Sequence, residues 1–252
     1  MALKISRAAG YASGAILGPV SAALSFVRRA RMFNPRGIML RGGARAVAAE
    51  GPLRELGDRL KGQVVVRFSA AWWKKRQWPD VLGCAIRFTD TPDFTTQPRE
   101  SDQDLLLATI KHPLTTLLAP WTTQVSDFLS NDYFGVSPFA APELPRLYLR
   151  LRPLRPGAPG KGTRAEKLDG ALAKGPISLQ LQARTHRYVG RFRDVAVLDL
   201  QERIEIDQAQ FSFDPFQNGR GLKPDSFIHA LRAASYAAGR AGRHHSPAHP
   251  PA

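Results

Sequence analysis

The chain has 252 residues, of which 43% are hydrophobic and 23% charged, ordinary proportions for a globular protein with one sizeable core or at most two small ones. Thirty-six Lys and Arg against 21 Asp and Glu give a net charge of +15, which favours an anionic partner: acidic lipid headgroups, nucleic acid or a carboxylated cofactor. A single cysteine, Cys84, excludes an intramolecular disulfide and gives no metal-ligand spacing. No helix-turn-helix, zinc-finger or RNA-recognition signature accompanies the charge, so specific nucleic-acid binding is not expected.

At the N-terminus, Lys4 and Arg7 precede an apolar run from Ala8 to Val27 that is interrupted by Gly, Ser and Pro19. The run is too weak for a membrane span and lacks a clear small-x-small cleavage site. Residues 1–32 therefore read as a helical arm packed on the domain or on a partner, with association to a membrane surface as the other reading. Pro35 and Gly37 punctuate a turn, and IMLRGGARAVAAE reads as a strand whose Gly42 and Gly43 mark a close backbone approach. LRELGDRL is a short helix. GQVVVRFSA and DVLGCAIRFTD are strands, and Cys84 in the second reads as a buried small hydrophobe. Between them, AWWKKRQWP carries Trp72, Trp73 and Trp78. A binding surface is one use for such residues; a core or subunit-contact role is the more usual one.

QDLLLATI is a further strand, and residues from His112 to about Phe139 read as helix and loop. PRLYLRLRPLR alternates, with Leu147, Leu149 and Leu151 on one face and Tyr148, Arg150 and Arg152 on the other. GAPGKGTRAEKLDGALAKG reads as a flexible polar loop. ISLQLQART and DVAVLDLQERIEIDQAQFSF are strands, FDPFQNGRGLKPD is a long turn, and SFIHALRAASYAAGRAGR is a closing helix before a disordered tail, HHSPAHPPA. About seven strands with strict alternation predict an antiparallel sheet curled into a barrel. The fold class is α+β: an arm over 1–32, one barrel domain over 33–243 and a tail over 244–252.

Most catalytic templates are missing. The sequence has no G-x-S-x-G elbow, no P-loop and no H-E-x-x-H. Of the six histidines, His244, His245 and His249 fall in the tail, while His186 and His229 are isolated. Glu202, Glu205 and Asp207 read as a solvated strand face. What stands out is the closing helix, where Arg232, Tyr236 and Arg243 are spaced by four and seven residues and share one stripe. An arginine-rich amphipathic helix explains this stripe; so does a tyrosine tuned by neighbouring cations.

Four stretches in the same order are similar to the catalase-like haem-binding superfamily: PRGIMLRGG; VVVRFS; LGCAIRF followed by DLLLAT; and Arg232-x-x-x-Tyr236 with Arg243 seven residues on, approached through FDPF. The resemblance implies haem b as cofactor, with Tyr236 as the iron ligand and Arg232 holding it as tyrosinate. It implies that Arg36, Arg67 and Arg243 bind the haem propionates and that Ser69 lies in the distal site. A phenol with a pKa near 10 ionises at neutral pH only where cations or a metal stabilise the phenolate. Buried propionates favour arginine over lysine.

Two departures accompany the resemblance. Met39 stands where the family has its distal histidine, and Ala108 where it has an asparagine. Without a base at that place, heterolysis of hydrogen peroxide should be slow. The expected function is therefore a haem protein acting on organic or lipid hydroperoxides, by peroxidase chemistry or by isomerising or dehydrating them, with Met39 filling space left by the histidine. Contact of Met39 with the iron is the other reading, but a Met at an apolar strand position is core more often than ligand. The alternative is a haem-free barrel that binds an anionic lipid or a partner protein through its basic surface and N-terminal arm. A homo-oligomer and a cytoplasmic location, or a peripheral membrane location through the arm, complete the expectations.

Overall fold

Along β2 (Gly62–Ala70), the side chains of Val64, Val66 and Phe68 point one way and those of Val65, Arg67 and Ser69 the other, as the two-residue period of a strand requires. The first set meets Leu40 of β1 (Ile38–Ala46), Cys84, Ile86 and Phe88 of β3 (Leu82–Thr89), and Leu105 and Leu107 of β4 (Gln103–Ala108) in the main core. In this computed structural model, residues 37–225 are described except 49, 74–75, 92–96, 112–116, 136, 158–159, 187–188 and 209–210. The expected N-terminal arm, the closing helix and the tail lie outside the described residues, as do Arg36, Arg232, Tyr236 and Arg243.

Six further strands follow: β5 (Tyr133–Gly135), β6 (Phe139–Ala141), β7 (Leu144–Pro153), β8 (Ile177–Arg184), β9 (Arg193–Ile204) and β10 (Lys223–Pro224). Three helices accompany them among the described residues: α1 (Pro52–Arg59), α2 (Ala119–Thr122) and α3 (Arg164–Leu172). The strand order β7-β5-β4-β3-β2-β1-β9-β8 returns on itself through a β7–β8 pairing, giving a closed, eight-stranded antiparallel barrel. The two short strands β6 and β10 form a flap on β7. The expected α+β barrel is the observed one.

Closure depends on one glycine. The register between β1 and β9 shifts between Arg41 and Gly42. A Cβ on Gly42 would lie 2.0 Å from the Asp199 carbonyl oxygen, so no other residue fits where the two backbones meet. Deeper inside, the Phe68 ring packs 5.3 Å from Phe128 and 5.8 Å from Tyr133, whose hydroxyl donates to the Phe128 carbonyl at 2.8 Å. That bond satisfies the one polar atom Tyr133 brings into the core. Burial pushes the Cys84 thiol well above its ordinary pKa, consistent with a packed apolar residue.

Three expectations need correction. Residues 157–175 contain α3, because Thr163 accepts from the Glu166 amide while the Glu166 carboxylate accepts from the Thr163 amide. This reciprocal cap, with Leu168 as its buried anchor, outweighs the glycine-rich approach. The last long strand ends at Ile204 rather than continuing to Phe213. Trp72, Trp73 and Trp78 are not core residues; they are 37%, 37% and 51% exposed.

Candidate functional site

An antiparallel barrel with water outside alternates buried and exposed residues, as β7 does with Leu147, Leu149 and Leu151 inside. The sector formed by β3 and β4 does not alternate: every residue of both strands is buried. The outer surface of this sector is therefore covered. Part of the cover is the segment after β9, whose Phe211 and Phe213 pack with Met39, Val65, Ala85 and Leu106 in a cluster separate from the main core.

The register places the expected distal residues on this outer face. Met39 is opposite Arg67, which is opposite Ala85, which is opposite Leu106. One row further along, Ser69 is opposite Gly83, which is opposite Ala108. Met39, Arg67, Ser69 and Ala108 therefore share one face, with exposures of 1%, 4%, 4% and 0%. Three of them are neutral, and the Ser69–Gly83–Ala108 row is built only from small residues, which keeps the sheet surface low there. Arg67 is the buried cation of the set, and its guanidinium lies 4.8 Å over the Phe213 ring. Met39 is packed within the apolar cluster.

The neighbouring row carries a buried ion pair that the sequence reading did not single out. Arg87 donates from Nε to Asp104 Oδ1 at 2.8 Å and from a terminal nitrogen to Oδ2 at 2.7 Å. The same nitrogen donates to the Ser212 carbonyl at 2.7 Å, and the Asp214 amide donates to Asp104 Oδ2 at 2.7 Å. The Arg87 guanidinium also lies 4.7 Å from the Phe211 ring centre and 5.4 Å from that of Phe213. This pair fastens the segment carrying both phenylalanines to the barrel wall. Burial pushes the Asp104 carboxyl up to about 6, against the opposing pull of Arg87 and the Asp214 amide.

Gln103 completes the fastening by donating to the carbonyls of Gln217 at 2.9 Å and Leu222 at 3.0 Å. Charged and amide residues inside the otherwise apolar runs LGCAIRF and QDLLLA were the available signal. A buried charge in an apolar strand requires a partner, and Arg87 and Asp104 are opposite each other in the β3–β4 register. Glu202 pairs with Arg41 on the solvent side, and Glu205 with Arg203. Glu205 and Asp207 lie beyond the strand that was expected to hold them. Among the described residues, no group of three or more His, Cys, Asp or Glu is arranged to hold a metal ion.

Neither a protein-family profile nor a curated protein sequence matches the chain. A solved structure does: a bacterial catalase superposes with a TM-score of 0.56 at 13% identity, over 86% of this chain. The fold is catalase-like. The match spans 58% of that catalase's length, and identity this low speaks for the fold alone. Within the catalase-like barrel of this chain, the four described residues selected from the sequence lie together on one covered exterior face.

Proposed function

We propose that the protein binds haem b against the outer face of β1–β4 and acts on organic or lipid hydroperoxides through a non-standard distal site. The observation that carries this reading is the common placement of Met39, Arg67, Ser69 and Ala108 on one buried exterior face. What supports the reading is the low Ser69–Gly83–Ala108 row and the buried cation Arg67, on a face whose Met39–Leu106 row is covered by Phe211 and Phe213. In this reading Tyr236 is the iron ligand and Arg232 holds it as phenolate. Arg36, Arg67 and Arg243 neutralise the propionates. When bound, haem supplies an iron centre able to act on a peroxide O–O bond.

The chain's own residues then set the chemistry. Met39 has no titratable proton and Ala108 has no polar atom, so neither can carry a proton from one peroxide oxygen to the other. Ser69 offers a hydroxyl that can orient a peroxide by hydrogen bonding, yet its ordinary acidity makes it a poor general base. The face thus excludes water and favours a substrate that brings an apolar body. Rearrangement or dehydration of an organic hydroperoxide asks less of a distal base than dismutation of hydrogen peroxide does. Homo-oligomerisation belongs to the same proposal.

The test is an absorption spectrum of the full chain expressed with a haem precursor, beside the Tyr236→Phe variant. The expected result is a Soret band with high-spin tyrosinate features, lost or strongly shifted in the variant while the circular dichroism of the barrel is unchanged. A folded protein that stays colourless on titration with haemin overturns the reading. An unchanged spectrum in Tyr236→Phe overturns the ligand assignment.

A further inference from the structure

We propose that the end of the barrel carrying Trp72, Trp73, Trp78, Leu117, Leu118 and Trp121 docks on an anionic lipid surface. The two loops that hold these residues leave the same end of the sheet, one between β2 and β3 and the other after β4. Leu117, Leu118 and Trp121 are 52%, 61% and 72% exposed, and Trp78 is 51% exposed. So many large apolar side chains at one end of a molecule mark an interaction site rather than chance exposure.

The loops are held by buried charges. Asp80 is fully buried, and its carboxylate accepts from the amides of Trp72 at 3.1 Å, Trp73 at 2.8 Å and Val81 at 2.7 Å. Arg164, 5% exposed at the start of α3, donates to the carbonyls of Trp73, Arg76 and Val125, the last two at 2.9 and 3.3 Å. One guanidinium thereby ties both loops together. Beneath them, Ala71 and Val81 pack with Ala108, Ile110 and Ala119. Burying a carboxylate and a guanidinium is costly, and here Asp80 holds the main chain of Trp72 and Trp73, each 37% exposed, while Arg164 holds that of Trp73 and the exposed Arg76. The main chain of the Trp72–Trp73 loop is thus fixed at the surface.

Charge identifies the occupant. Of the described residues within 71–79 and 110–123, Arg76 and Lys111 are charged and none is Asp or Glu. The Arg76 guanidinium stacks 4.7 Å from the Trp78 ring, and Trp73 meets Trp78 edge-on at 5.0 Å. Tryptophan interleaved with cations suits the boundary between headgroups and acyl chains, where indole rings settle and basic side chains neutralise phosphate. A two-fold contact between copies of this chain would instead bring these cations face to face. No helix among the described residues is long and apolar enough to cross a membrane. The inference does not depend on haem binding.

The experiment is co-sedimentation of the full chain with phosphatidylcholine vesicles containing phosphatidylserine, and with phosphatidylcholine alone, while tryptophan emission is followed. Wild type is expected to bind the phosphatidylserine vesicles with a blue-shifted emission and to weaken as salt is raised. The double variant Leu118→Ser/Trp121→Ser, which alters only exposed side chains, is expected to lose at least about tenfold in partitioning with its melting temperature unchanged. Lys111→Glu is expected to weaken binding at low salt more than at high salt. Failure of the wild type to bind phosphatidylserine vesicles overturns the proposal. So does wild-type binding by the double variant, which would place the contact elsewhere in the chain. A change from oligomer to monomer in that variant, with vesicle binding intact, would reassign the surface to a contact between copies.

Discussion

Arg87 grips Asp104 at two points, 2.8 and 2.7 Å apart, on the outer wall of the barrel, and neither side chain reaches water beyond 2% of its surface. The pair does not contribute to the main core. It fixes the segment bearing Phe211 and Phe213 across the face where Met39 and Arg67 lie.

Removing one member should therefore cost far more than removing both. Asp104→Ala takes away the acceptor of the buried Arg87 Nε and of the Asp214 amide, and it is expected to destabilise the fold by about 3–5 kcal/mol. Arg87→Met combined with Asp104→Leu is expected to recover much of that loss. Urea unfolding of the three proteins checks this. A double-variant loss as large as that of Asp104→Ala, or larger, would show that the stranded Arg87 is not what the single variant suffers from.

The same carboxyl predicts a pH dependence. Its pKa rises from 3.8 to about 6 on folding because burial outweighs Arg87. The folded state thus holds the proton more tightly than the unfolded one. The contribution of Asp104 is fully present below pH 4, declines as pH rises towards 6 and is then constant. Measured against Asp104→Asn, wild-type stability is expected to fall by about 3 kcal/mol over that interval. A difference that rises with pH would show that Arg87 dominates instead.

Gly42→Ala tests barrel closure. The added methyl would enter the Asp199 carbonyl, with its Cβ 2.0 Å from the oxygen. Since both neighbours are strand backbone, neither can move without breaking the β1–β9 ladder. A loss of more than about 3 kcal/mol is expected. Gly43→Ala, whose Cβ would lie 3.8 Å from its nearest neighbour, the Gly62 carbonyl oxygen, is the matched control and should be nearly silent.

Met39→His tests the proposed distal assignment. Met39 is 1% exposed in an apolar cluster, so histidine there should enter neutral, lower stability by about 1–3 kcal/mol and be available as a base. In haem-loaded protein, consumption of hydrogen peroxide is expected to rise at least about tenfold. A folded, loaded variant with no gain would show that position 39 is not adjacent to the reacting oxygen.

Strands were the most legible part of the sequence, since a two-residue alternation such as Leu147, Leu149 and Leu151 reports the inside of the barrel directly. The candidate face was legible only through motif resemblance, because its residues come from β1, β2 and β4 and are neighbours through register alone. Helix α3 was hidden by GAPGKG, although Thr163 and Glu166 are spaced as a reciprocal cap. Trp72, Trp73 and Trp78 ran against the usual fate of tryptophan because Asp80 and Arg164, distant or unremarkable in sequence, hold their loop open to solvent. Periodicity carries no information about such long-range polar ties.

The β7–β8 pairing has one more effect. By joining the last free sides of the sheet it leaves the barrel without a lateral row of unpaired amides and carbonyls onto which another extended chain could zip. Among the described residues the strand order ends at β10, a strand of two residues, and the second is Pro224, which has no N–H to offer. A chain so rich in Val, Leu and Phe strands is thereby guarded against fibril-type association by its topology, and its high positive charge adds a second, independent barrier.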